Sequence, residues 1–386
     1  MLTSVDWCEI RNQSYDEWRV VLGQAAGTTP ERVLVTSLHQ QDAPVVDSKA
    51  ERLLEEIGLA GELYDRDFHA RSLQHVRHAL AASLAGAVPV SHLGMGQDRV
   101  KKVASNCRVV LPDARSRFGR GSRSGGDRFL REAPEGLIDP FLKTLSFWNG
   151  ETPVRALHAY ATHPMSHYGK GQVFWDFVGM ARERRRRDDD SIHQIYVSGC
   201  SGDVTAGKYN DRSLEKRPVL ADRLYRSMVE AWKNTRRLPL GRIAFRSAKL
   251  ELEFHPDLDL TATGLESAVK DLERSVEDRI LAGMGLSSRK RVAARRAIDL
   301  PVIDFGPAQV VLFPGESFVG YQLMAQEMRS DLFVLSIGYG ECWPGYIPTE
   351  DAFWDAFEDK WLWAAPGSEA RIRTVLQRVL LPGRMP

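Results

Sequence analysis

Residues 144–167 limit most what this chain can become, because a hairpin signal there runs directly into a histidine. Residues 144–148 and 154–162 are rich in β-forming side chains, and Asn149-Gly150 between them suits the positive φ angles of a tight turn. The second strand stops at His163-Pro164, where proline removes a backbone donor and bends the chain away. His163 therefore stands at a strand end, and α/β proteins gather ligands outside the carboxyl ends of their strands. The device repeats further on. Residues 194–198 read as a short strand, and Gly199-Cys-Ser-Gly202 after it is a small-residue turn where backbone can approach a ligand closely.

Around this centre helices and strands alternate. Ser14 is the expected N-cap of a helix over 15–26, closed by Gly27, and Thr29-Pro30 leads into a strand over 32–37 that delivers His39. Residues 64–85 form a long amphipathic helix whose His69, His75 and His78 do not share a face, which predicts solvated imidazoles. Residues 111–126 are rich in Gly, Ser and Arg and read as a surface loop; arginines in such backbone also suit an anion. Helices are expected over 176–187 and 217–233, a strand over 242–254, and helical, charged sequence over 262–298. Strands over 301–305 and 309–313 follow, then a helix opened by Gly315-Glu316-Ser317, a last strand over 332–337 and helical residues 350–380. No repeat and no convincing linker divides the chain. The expectation is one α/β domain over residues 1–386, a mixed β-sheet core flanked by helices.

Composition excludes several function classes. With 52 basic against 51 acidic residues there is no global field to recruit nucleic acid or an anionic membrane. The run Arg184-Arg-Arg-Arg carries its own three aspartates and reads as a solvated helix end. Four cysteines without CxxC spacing argue against a cysteine zinc site and favour reduced thiols. No apolar run reaches membrane-span length, and the opening Met1-Leu-Thr-Ser-Val-Asp-Trp7 has neither a basic nor an apolar signal region, which predicts a cytoplasmic protein, or a secreted one if the true start lies upstream.

His39, His163, Glu316 and Tyr346 all fall at or just beyond predicted strand ends. Two imidazoles, a carboxylate and a phenol are donors of the kind a catalytic zinc takes while keeping a position for water. Each residue alone has an equally good structural use. A histidine at a strand end caps backbone, a glutamate at a helix start serves the helix dipole, and a tyrosine in a loop packs.

Five segments resemble a known family. Thr36-Ser-Leu-His39-Gln-Gln-Asp-Ala-Pro44, His158-Ala-Tyr-Ala-Thr-His163-Pro, Ser201-Gly-Asp-Val-Thr205, Phe313-Pro-Gly-Glu316 and Gly345-Tyr346-Ile-Pro-Thr are similar to motifs of the neutral/alkaline, non-lysosomal ceramidases. The likeness covers roughly residues 30–355 and concerns that family's N-terminal catalytic domain. It implies Zn2+ held by His39, His163, Glu316 and Tyr346, and a hydrolase that cleaves the amide of a small-molecule or lipid N-acyl substrate. Thr205 then corresponds to the family's reacting or substrate-orienting hydroxyl, and Asp203 and Tyr346 join it as catalytic candidates. Asp176 and Asp203 are candidates to receive the second N–H of a metal-bound imidazole.

The chain also departs from the pattern. Gln41 replaces the second histidine of the family's His-Thr-His, Thr205-Ala206 replaces Ser-Pro, and no strand is read before the first helix. An amide at position 41 favours a substrate more polar near the metal than ceramide, such as an amino sugar or a short N-acyl compound. Two further readings stand beside the amidase: a non-catalytic lipid- or sugar-binding relative, and a metallohydrolase of another ester or amide class.

Overall fold

A computed structural model describes residues 1–111, 113 and 115–381. The core consists of two sheets packed face to face, where the sequence suggested one. The first orders its strands His193–Ser198, Thr152–Tyr160, Phe141–Asn149, His92–Arg99 and Arg236–Pro239. Only its first pair is parallel. The second orders Ala244–Leu250, Ile298–Asp304, Ala308–Leu312 and Phe333–Ile337, with the last pair parallel.

Alternation of side chains along each strand explains the layers. Leu93, Leu145, Leu157 and Val197 leave the first sheet on one side and meet Val310, Leu312, Leu335 and Ile337 of the second. On the opposite side Leu142, Tyr160 and Tyr196 receive the helices Asp176–Asp188 and Lys216–Lys233 through Phe177, Ala181, Leu220 and Leu224. The second sheet turns Leu300, Val302 and Val311 outward to the helices Val319–Met328 and Ser368–Leu380. Each fully buried leucine here stabilises the fold by about 2 kcal/mol from area alone, so four layers of helix, sheet, sheet and helix are held by ordinary apolar burial.

Several boundaries differ from the sequence reading, for local reasons. The first helix spans Asn12–Ala26, and Ser14 lies inside it, its Oγ accepting from the Ser48 amide at 3.0 Å instead of capping. Gly27 closes that helix at φ 65°, as glycine permits. A strand does precede it: Leu2–Val5 pairs in parallel with Leu34–Ser37. Within the helix Arg66–Ser83, His69 is buried and its Nε2 accepts from the Trp18 indole at 3.0 Å, so burial lowers its pKa to about 4. Residues 262–298 divide into the helices Ala262–Lys270 and Val276–Ala293 before the next strand begins, and residues 350–380 into Glu350–Trp354 and Ser368–Leu380. Glu316 sits on a short strand, Glu316–Ser317, rather than in the helix start, because that segment pairs in parallel with Tyr346–Ile347.

Candidate metal centre and its cleft

The strand Leu34–Ser37 ends at His39, which adopts φ +58°, a left-handed conformation rare for a residue with a side chain. Its amide is held by the Trp7 carbonyl at 3.0 Å, and its ring stacks on Tyr339 at a centroid distance of 4.4 Å. Tyr339 is itself left-handed at φ +56°, and its hydroxyl meets Ser201 Oγ at 2.7 Å. Two strained residues thus lock each other, the kind of concentration that functional sites tolerate.

His163 follows the strand Thr152–Tyr160 and is fixed twice by Val204, whose carbonyl accepts from the His163 amide at 2.9 Å and from Nδ1 at 3.1 Å. A carbonyl only accepts, so Nδ1 carries a proton, and Nε2, which faces Glu316, is the nitrogen whose lone pair a metal would take. Glu316 is brought to it by a close approach of two chain segments. A Cβ on Gly202 would stand 2.1 Å from the Glu316 carbonyl, so the small-residue turn makes room for the protein's own strand.

The three side chains converge. Glu316 Oε2 lies 3.2 Å from His39 Nε2 and 3.0 Å from His163 Nε2, and one donor atom from each residue falls within 4.8 Å of the other two. All three are at most 4% exposed. Burial alone would raise the Glu316 carboxyl, but the imidazoles of His39 and His163 outweigh it and hold it well below the usual carboxylate range. Tyr346 stands opposite Glu316 in strand register and borders the same cleft as His163, packed between Phe318 and Phe357. Burial and the charge of Glu316 push its phenol well up.

The cleft that His163 and Tyr346 border has a volume of about 530 Å³. Thr205, only 4% exposed, lies on its floor with Oγ1 accepting from the Gly207 amide at 3.0 Å. Phe118, Phe357 and Tyr346 form an aromatic side. Ser122, Arg123 and Tyr168 form a second, polar side joined by the Ser122–Tyr168 hydroxyl contact at 3.0 Å. Gln41 is half-buried and does not line this cleft.

The two aspartates proposed to steady the imidazoles do other work. Asp203 Oδ1 accepts from the Val319 amide at 2.8 Å and Oδ2 from Asn106 Nδ2 at 2.7 Å. It ties the turn to the following helix, and burial, opposed by these donors, raises its pKa to about 6. Asp176 binds the amides of Ser166 and Phe177 and the Ser166 hydroxyl, shaping the loop after His163. The groups facing the imidazole Nδ1 atoms are instead the Val204 carbonyl for His163, and Cys8 Sγ at 3.8 Å with Glu9 Oε1 at 3.9 Å for His39. Glu9 is fully buried, and its other oxygen is held by Arg11 at 2.6 Å. Asp359 was equally absent from the sequence reading. It borders the cleft with one oxygen accepting from the Trp361 amide at 2.8 Å. Its side chain opens to solvent, yet the walls around it and the charge of Glu316 raise its carboxyl above the ordinary carboxylate range.

No protein-family model matches the chain, and no curated protein matches it in sequence. Its fold, however, is that of neutral ceramidase. The crystal structure of neutral ceramidase from Pseudomonas aeruginosa superposes with a TM-score of 0.66 at 13% identity, covering 98% of this chain and 65% of that one. A ceramidase complexed with C2 superposes with a TM-score of 0.65 at 12% identity, covering 98% of this chain and 66% of that one. The present chain therefore spans about two thirds of the ceramidase chains it matches.

Proposed function

We propose that this protein, built on the neutral ceramidase fold, is a zinc-dependent hydrolase of N-acyl amides. The observation that carries the proposal is the meeting of His39 Nε2, His163 Nε2 and Glu316 Oε2 in one buried place. The donor set fits zinc: two imidazole nitrogens, of which that of His163 faces Glu316 while a neighbouring carbonyl holds Nδ1, and one carboxylate oxygen. Glu9 Oε1, buried without a hydrogen-bond donor behind His39, is the kind of outer carboxylate that accompanies a ligating imidazole. His39, His163 and Glu316 would hold the ion, with Tyr346 as the fourth residue facing them. A zinc ion bound there supplies Lewis acidity, polarising a carbonyl and making a water acidic near neutral pH.

Hydrolysis adds a water oxygen to the carbonyl carbon and breaks the C–N bond, and the departing nitrogen needs a proton. Asp203 is committed to Val319 and Asn106, so the carboxyl placed to donate that proton is Asp359 at the cleft mouth. The Thr205 hydroxyl, received on the cleft floor, orients the substrate beside the metal ligands. Metal analysis of protein purified without added zinc, followed by assay of amine release from a panel of N-acyl amines, tests the proposal. Close to one zinc per chain with turnover of at least one amide supports it. Protein that stays metal-free when dialysed against zinc overturns it and favours a binding module.

A further inference from the structure

About half of the described arginines of this molecule meet a carboxylate. Arg182 pairs with Asp6, Arg184 with Asp222, Arg246 with Asp304 and Arg291 with Asp16, each within 3.0 Å. The chain has 51 acidic residues for 52 basic ones, so partners are available. Of the arginines without a carboxylate partner, three gather at the rim and wall of this one cleft.

Arg120 is 1% exposed, and its guanidinium donates to the carbonyls of Asn106, Leu130, Ala133 and Pro134 at 2.9–3.2 Å. Carbonyls satisfy its donors without neutralising its charge, so this wall carries a fixed positive potential in a poorly solvated place. Arg123 donates to the Tyr168 carbonyl at 3.0 Å and lies over the Tyr168 ring at 3.9 Å, leaving most of its fork unused. Arg212 has no hydrogen bond, ion pair or ring contact among the described residues, and it holds φ +76°. A left-handed backbone at a residue with a long side chain costs on the order of 1 kcal/mol, which nothing in its contacts offsets. Its neighbour Asp211 is engaged with Ser213 and Lys216 and does not compensate it. The carboxylates that border the cleft, Glu358 and Asp359, follow Phe357 on the aromatic side and form no salt bridge with any of the three. One side of the cleft therefore carries three arginines that form no salt bridge, while His163 and Tyr346 border the same cleft.

We propose that the cleft selects N-acyl amines bearing an anionic group near the scissile amide, with Arg212 and Arg123 gripping that group and Arg120 supplying the field behind it. This rests on the amide hydrolase assignment. A carboxylate, as in an N-acyl amino acid, matches a planar guanidinium fork in two parallel hydrogen bonds, and a phosphate offers the same oxyanion chemistry.

The test compares N-octanoylglycine, N-octanoylphosphoethanolamine and the neutral N-octanoylethanolamine on the full zinc-loaded chain. An anionic member should exceed the neutral one in kcat/KM by about tenfold or more, since a charge-assisted hydrogen bond is worth roughly 1.5–3 kcal/mol. Which anionic member leads separates carboxylate from phosphate. In Arg212→Gln the anionic-to-neutral ratio should fall by about tenfold, mainly through KM, with Arg123→Gln acting in the same direction. Calorimetric binding of N-octanoylglycine to the metal-free protein gives a readout independent of turnover. If no amide is cleaved but N-octanoylglycine binds, and Arg212→Gln abolishes that binding, the hydrolase assignment fails while the anion site stands. Equal kcat/KM for neutral and anionic amides, or a ratio unmoved by Arg212→Gln, overturns the anion site whatever the metal does.

Discussion

His158 and His163 lie five positions apart on one strand and its exit, both buried, both with two polar neighbours. His158 sits between Thr144 Oγ1 and Gln194 Oε1, each at 2.8 Å, neutral groups that belong to adjacent strands. His163 sits between a carbonyl and a carboxylate that a second imidazole also approaches. An imidazole whose two nitrogens find separate neutral partners is a strut. One whose free nitrogen shares its partner with another imidazole is a ligand in waiting. Burial alone does not separate them; the ownership of the partner does.

The comparison breaks first if His163 proves dispensable. His163→Ala should abolish stoichiometric zinc and lower turnover by about a thousandfold, since the Lewis acid is worth several kcal/mol, about 4 by this measure. Its urea midpoint should stay near that of the metal-free parent. Retained zinc with retained turnover would make His163 a strut like His158.

The next effect belongs to His158, whose burial lowers its pKa from 6.5 to about 4. Above pH 6.5 both folded and unfolded forms are neutral and this group leaves stability unaffected. As pH falls from 6.5 to 4 the unfolded chain takes the proton first, so about 3 kcal/mol of stability is lost over that window. Urea titrations across it should show a shallower decline in His158→Gln than in the parent. Equal declines would mean that the imidazole is not held neutral.

A smaller effect tests the partner behind His39. Glu9→Gln should weaken zinc binding by about 10–100-fold in competition with a chelator, the usual effect of removing an outer carboxylate. Unchanged affinity would leave Glu9 as a partner of Arg11 only.

What the sequence revealed follows the same division. Strand alternation, the Asn149-Gly150 turn and the stop at His163-Pro164 are local signals, and the hairpin Phe141–Asn149 and Thr152–Tyr160 matches them within a few residues. The face-to-face arrangement of two sheets was not legible, because alternation says that a strand has two faces and not which sheet each face meets. His39, His163, Glu316 and Tyr346 surfaced through resemblance, as each alone had a structural use. Glu9, Tyr339 and Asp359 stayed hidden because the site residues they meet, His39 for the first two and Glu316 for the third, lie 30 or more positions away, and Arg212 because an unpaired charge is a property of the fold. Asp176 and Asp203 drew attention because ligating imidazoles usually donate to a carboxylate, and backbone amides at the starts of the helices Asp176–Asp188 and Val319–Met328 claimed them instead.

Arg120 has one more consequence. By gathering the carbonyls of Asn106, Leu130, Ala133 and Pro134 onto one guanidinium, it cinches the base of the hairpin Arg108–Val110 and Ser116–Phe118 closed and holds it against residues 130–134. Insertions in that hairpin and exchanges at Ser122 or Arg123 then leave the cinch intact. Mutational drift is free to retune what enters the cleft while the floor, which belongs to other strands, keeps its geometry.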